Sequence, residues 1–126
     1  MKLSMMFMIN AVVAVLFGLG FVLMPATVLS FYAVQLSDAG LFIARLLGME
    51  FIGFAIITWQ LRYAEAGSGE VRGVMLGLWV SELLGFVCSL YYQLQGIANG
   101  LGWSTVVIYL LLGLGFLYFY MKKPAV

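Results

Sequence analysis

The chain has 126 residues, 65% of them hydrophobic and 9% charged, with a formal net charge of +1. A soluble domain carries about 25% charged residues, so this composition excludes a water-facing surface and points to a lipid bilayer as solvent and first partner. No basic stretch is long enough to follow a phosphate backbone, which excludes nucleic acid.

There is one cysteine, Cys88, and no histidine. That removes an internal disulfide, paired-thiol redox chemistry, histidine-ligated haem and the usual zinc sites, so no cofactor or metal is expected. Cys88 itself reads as a small apolar residue on a packed helix face.

Four apolar runs of about 20 residues are each long enough to span a membrane. The first covers 3–24 and is ended by Pro25. It is too long for a secretory signal core and no Ala-x-Ala site follows, so it reads as a membrane helix. The segment from Pro25 to Ser37 is too apolar for a free loop and too short to span. It is expected to form a half-helix or a cover over one end of the bundle. The second span covers 39–61, with Ser37 or Asp38 available as its cap. The connection from Arg62 to Glu70 contains Gly67-Ser68-Gly69 and reads as a solvated turn. The third span covers 71–92, Asn99-Gly100 marks the next turn, and the fourth span covers 101–121.

The expected fold is thus all-α: a single domain, 1–126, forming an integral membrane four-helix bundle. Lys2, Arg62, Arg72, Lys122 and Lys123 fall at the N-terminus, the middle connection and the C-terminus. With four spans these regions share one side, and the positive-inside rule makes that side cytoplasmic (N-in, C-in). Aromatics mark both interfaces: Trp59, Tyr63, Tyr118 and Tyr120 on the inner side, Tyr32, Tyr91, Tyr92 and Trp103 on the outer.

Three ionisable residues fall inside the spans: Arg45 and Glu50 on the second, and Glu82 on the third. A mid-membrane charge costs at least about 2.5–3.5 kcal/mol, so such residues face the bundle interior or a wet cavity and often pair. Glu50 and Glu82 lie near the middle of their helices, at similar depth. Arg45 and Glu50 are five residues apart and point about 140° away from each other. Arg45 is instead offset by about 6 Å from Glu82 in depth, a reach its side chain can make. Two readings of this polar cluster stand. In one, a buried Arg45–Glu82 ion pair locks the second and third spans, with Glu50 neutral. In the other, Glu50 and Glu82 form a proton or cation site.

The third span carries small residues every four positions: Gly73, Gly77, Ser81, Gly85 and Ser89. The second has Gly40, Ala44 and Gly48, and the first has Ala14 and Gly18. This spacing lets helix backbones approach closely, within one bundle or across a dimer face. Asn10 is costly to bury and is expected to find a partner on another helix.

The stretches Phe17-Gly18-Leu19-Gly20-Phe21, Pro25, Phe31-Tyr32-Ala33-Val34 and Ala44-Arg45-Leu46-Leu47-Gly48 resemble small bacterial four-helix membrane proteins of a broadly DoxX-like kind. In that pattern a glycine-rich first helix ends in proline. A Tyr-Gly-Val-like turn follows, and an Arg-Leu-(Leu/Phe)-Gly element opens the second helix. Ala33 stands where the pattern has glycine. The resemblance covers about the first half of the chain. It implies a bacterial inner membrane and makes Arg45 and Gly48 signature positions, without giving either a role.

The leading functional expectation is a non-enzymatic accessory or scaffold protein, alone, self-associated or in a larger membrane complex. One alternative is a small proton- or cation-coupled transporter using Glu50 and Glu82, although the first span lacks the acidic residue of small multidrug-resistance exporters. The other is a binder of a lipid, quinone or pigment in an aromatic-lined pocket.

Overall fold

The computed structural model describes residues 1–122, and among these every regular element is helical. Lys123, used above for orientation, lies outside them. Helix α1 is Leu3–Leu23, α2 is Pro25–Ser30, α3 is Asp38–Gln60, α4 is Gly69–Leu94 and α5 is Gly102–Met121. A single 3-10 turn, Leu61–Tyr63, extends α3. Four helices, α1, α3 with its extension, α4 and α5, are long and apolar enough to cross a membrane. The spans expected from sequence match their helices to within two residues at each end.

Local chemistry sets the ends. Pro25 stops α1 because it lacks an N–H, and the same residue opens α2 at a first-turn position, where no N–H is needed. The Ser37 hydroxyl accepts from Gly40 N at 3.2 Å and starts α3. Ser68 does the same for α4 through Val71 N at 3.3 Å.

The helices pair as α1 with α3 and α4 with α5, and α3 and α4 make no comparable contact. The first pair meets backbone to backbone. A Cβ on Gly18 would stand 2.9 Å from Gly48 O, and one on Gly48 would stand 2.8 Å from Gly18 O. The expected close approach of the glycine and alanine positions on these two helices is therefore present. Asn10 finds its partner across the same interface, donating to Thr58 Oγ1 at 3.5 Å, while Thr58 donates to Phe54 O at 2.8 Å.

The two pairs join at the end that carries the N-terminus, the Arg62 turn and the end of α5. There Met6 and Phe7 of α1 meet Val71, Met75 and Leu78 of α4 and Leu112 and Phe116 of α5 in one buried cluster. The Phe7 and Phe116 rings lie 5.7 Å apart and are tilted, a favourable aromatic geometry. Cations gather at this end on aromatic rings. Arg62 lies over Trp59 at 4.2 Å, and Arg72 lies over Tyr120 at 4.7 Å while donating to its carbonyl at 3.3 Å.

At the opposite end the pairs are tied by hydrogen bonds. The segment Pro25–Ser37 forms the expected half-helix and cover. Its turn is held to the α4–α5 connection by Asn99, whose backbone N–H donates to Tyr32 O and whose Nδ2 donates to Phe31 O, each at 3.0 Å. The Asn99 side chain also accepts from Leu101 N, and its carbonyl accepts from Gln93 Nε2 at 2.9 Å.

Candidate functional site

Between the packed end and the Asn99 tie, the four long helices enclose a cavity of about 490 Å³. This falls within the range of about 300–1,000 Å³ usual for small-molecule pockets. Asn10, Ala14, Phe17 and Phe21 of α1, Leu47, Phe51 and Phe54 of α3, Glu82 and Gly85 of α4, and Thr105, Tyr109 and Leu112 of α5 all face it. The lining is overwhelmingly apolar. Phe21 stacks on Phe51 at 6.2 Å and packs against Phe17 at 6.0 Å, giving an aromatic wall across the α1–α3 pair.

The cavity is closed on the α1–α5 side, where Asn10, Ala14 and Leu112 are buried. It opens between α3 and α4. There the lining residues Leu47 and Phe54 remain 43% and 41% exposed and Ser81 is exposed as well, while Tyr92 and Ile97, at 53% and 55%, leave the lining exposed toward the Asn99 end too. The opening follows from the pairing, because nothing draws α3 and α4 together.

Among the described residues Glu82 is the only acidic one facing the cavity, and no Lys or Arg faces it. It is partly buried, with its Cβ near Gly113 of α5, where the absence of a side chain makes room. The next turn of the α4–α5 contact is equally close: a Cβ on Gly85 would overlap the Tyr109 ring.

The predicted Arg45–Glu82 pair does not form, and among the described residues no ion pair joins Arg45 to a carboxylate. Arg45 is exposed and donates from Nε to Val22 O at 3.4 Å. Val22 belongs to the last turn of α1, whose carbonyls have no partner within the helix. Arg45 thus caps α1, a placement favoured by the negative end of the helix dipole. The pairing fails because α3 packs on α1 and not on α4.

Glu50 does not face the cavity either; it is exposed. It lies three residues after Leu47 and four before Phe54, so it shares their flank of α3, turned further outward. The position is the outer lip of the opening. Of the three residues grouped from sequence, one lines the cavity, one borders its mouth and one caps a helix.

The stripe on α4 is also divided. Residues four apart rotate by about 40° per step, so five such positions sweep about 160° around a helix. Gly73 and Gly77 face outward with nothing within 4 Å of an added Cβ. Ser81 stands at the mouth, and Gly85 and Ser89 face the cavity. Among the described residues nothing packs where a side chain on Gly73 or Gly77 would stand, whereas Gly85 lies close against the Tyr109 ring. Cys88, expected on a packed face, is exposed.

Sequence reasoning singled out Glu82 and raised an aromatic-lined pocket as one alternative, without naming Phe17, Phe21, Phe51 and Phe54 as its wall. The spacing of Leu47, Phe51 and Phe54 is a helical stripe that a core would show equally. Compared with known proteins, the chain matches no family model, no curated protein and no solved structure.

Proposed function

We propose that the chain is a multi-pass inner-membrane protein that binds a lipophilic molecule in the cavity between its helix pairs, and that it acts by binding and not by catalysis. The observation that carries this reading is the apolar, aromatic-walled cavity of about 490 Å³, open sideways between α3 and α4. A sideways mouth midway along the helices would face the hydrocarbon of a bilayer, so a lipophilic guest reaches it without crossing water. Orientation with both termini in the cytoplasm is supported by Lys2, Arg62, Arg72 and Lys122 at one end. The DoxX-like resemblance suggests the bacterial inner membrane; Ala33, which stands where that pattern has glycine, has a left-handed backbone (φ +58°).

The test is extraction and mass spectrometry of whatever co-purifies with the chain in mild detergent, beside a Ser81→Phe variant that plugs the mouth. The expected result is one lipophilic species near stoichiometric in the wild type and reduced at least tenfold in the variant. Equal amounts in both, or only bulk lipid, would defeat the reading.

A second reading, a scaffold that associates with copies of itself or with a larger complex, is favoured by one feature. Glu50 is exposed on an outward face of α3 that also shows Met49, Ile43 and Leu46. A carboxyl facing lipid is costly, and a neighbouring protein surface would shelter it.

A further inference from the structure

We propose, resting on the reading of the cavity as a binding site, that its ligand is a lipophilic cation whose charged group sits against Glu82. The argument starts from what the polar side chains of the cavity already do. Asn10 Nδ2 donates to Thr58 Oγ1, Ser81 Oγ to Leu78 O, Ser89 Oγ to Phe86 O and Gln93 Nε2 to Asn99 O. Four donors are therefore engaged within the protein. Tyr and Thr hydroxyls donate and accept alike, so they favour neither sign of charge. Glu82 is what remains, and a carboxylate only accepts.

The sign of the guest follows. An anionic head would meet Glu82 and find no Lys or Arg among the lining residues. A wholly apolar guest would leave the carboxyl buried beneath it without a partner, a costly arrangement. A quinone-like guest carries only acceptors, so the Glu82 carboxylate beneath it is left without a donor. A cation satisfies Glu82 by charge and lies against aromatic faces, since Phe17, Phe21, Phe51 and Phe54 line the same space. Ring faces attract cations most strongly where water is excluded.

The experiment uses two probes of the same shape and opposite charge, tetraphenylphosphonium and tetraphenylborate, titrated separately by calorimetry into the purified full chain in dodecyl maltoside. The expected result is saturable binding of the phosphonium, with the borate at least tenfold weaker. Glu82→Gln should bring the phosphonium down to the borate's level, while Glu82→Asp should keep the preference. The wild-type comparison stands even where Glu82→Gln fails to fold. Equal binding of the two probes overturns the cation assignment and leaves the cavity as a binding site. Saturable binding of neither overturns the cavity reading itself, and the cation assignment with it.

Discussion

The two ends of the bundle solve the same problem in opposite ways. At the end carrying the N-terminus the helix pairs are joined by large interlocking side chains, with Phe7 and Phe116 at 0% exposure. At the other end they are joined by hydrogen bonds through Asn99, and the space between is left hollow. In lipid the drive to pack comes from close contact and satisfied polar groups, not from removing apolar surface from water. A bundle can therefore be firm where side chains or backbones interlock and empty elsewhere. The filled end holds the pairs in place, and the hollow end leaves the cavity.

The largest expected effect tests the contact that makes one of the pairs. Gly48→Leu forces a side chain against Gly18 O and the Phe21 and Val22 side chains, so α1 and α3 part and the folded monomer is lost from size-exclusion chromatography. Gly77→Leu, placed where an added Cβ meets nothing, should leave the thermal midpoint unchanged in the monomer. A destabilised Gly77→Leu chain would mean that the outward face is covered by a partner.

The next effect concerns the filled end. Phe116→Ala removes a fully buried ring from the cluster that joins the pairs and is expected to cost about 3–5 kcal/mol, as large-to-small changes in packed cores do. Stability against denaturing detergent reads this directly. A loss under about 1 kcal/mol would show that the site collapses freely, and the contrast between the ends would then disappear.

A smaller effect is expected at the tie. Asn99→Ala removes the side-chain bonds to Phe31 O and Leu101 N and keeps the backbone bond to Tyr32 O. At about 0.5–1.5 kcal/mol net for each bond, the whole chain loses little. The hollow end, however, should exchange its amide hydrogens faster than the filled end. Uniform exchange along all four helices after the substitution would show that the cover does not depend on Asn99.

The contrast between the ends also shows what the sequence could reveal. The helices, the Pro25 stop, the Ser37 cap and the half-helix cover were readable because each is set by nearby residues. Asn10's need for a partner was readable from its polarity alone. The pairing of helices was not. Sequence adjacency suggested that the second and third long helices touch, and the Arg45–Glu82 pair was built on that. Instead Gly18 and Gly48 draw α3 onto α1, and Gly85 and Gly113 draw α5 onto α4. Those glycines lie in plain view, but nothing local says which of several small-residue stripes will meet. The α4 stripe misled for a geometric reason, since it winds away from any single face. The cavity is the absence of a contact between α3 and α4, and a pattern of residues does not encode an absence.

The smallest expected effect lies within the cover itself. Ala33 has φ +58°, the one non-glycine residue with positive φ among those described. Its N–H donates to Ser30 O at 3.0 Å, and Val34 N donates to Leu29 O at 3.0 Å. The left-handed turn thus lets two backbone donors close α2 before the chain passes to α3. An L-residue in this region carries a steric cost of about 1–2 kcal/mol because its Cβ crowds the following carbonyl. Ala33→Gly removes that cost but adds about 0.5–1 kcal/mol of backbone entropy to be lost on folding. The two partly offset, and the expected net is a stabilisation of up to about 1.5 kcal/mol. It should be visible as slower amide exchange in 29–34 with no change at the filled end. Ala33→Val sharpens the test, since a β-branched side chain is a genuine outlier at positive φ. It should loosen the cover and speed exchange there. If glycine destabilises the cover as much as valine does, the Ala33 side chain is making a contact that outweighs its backbone cost, and the left-handed turn is not what limits the stability of the hollow end.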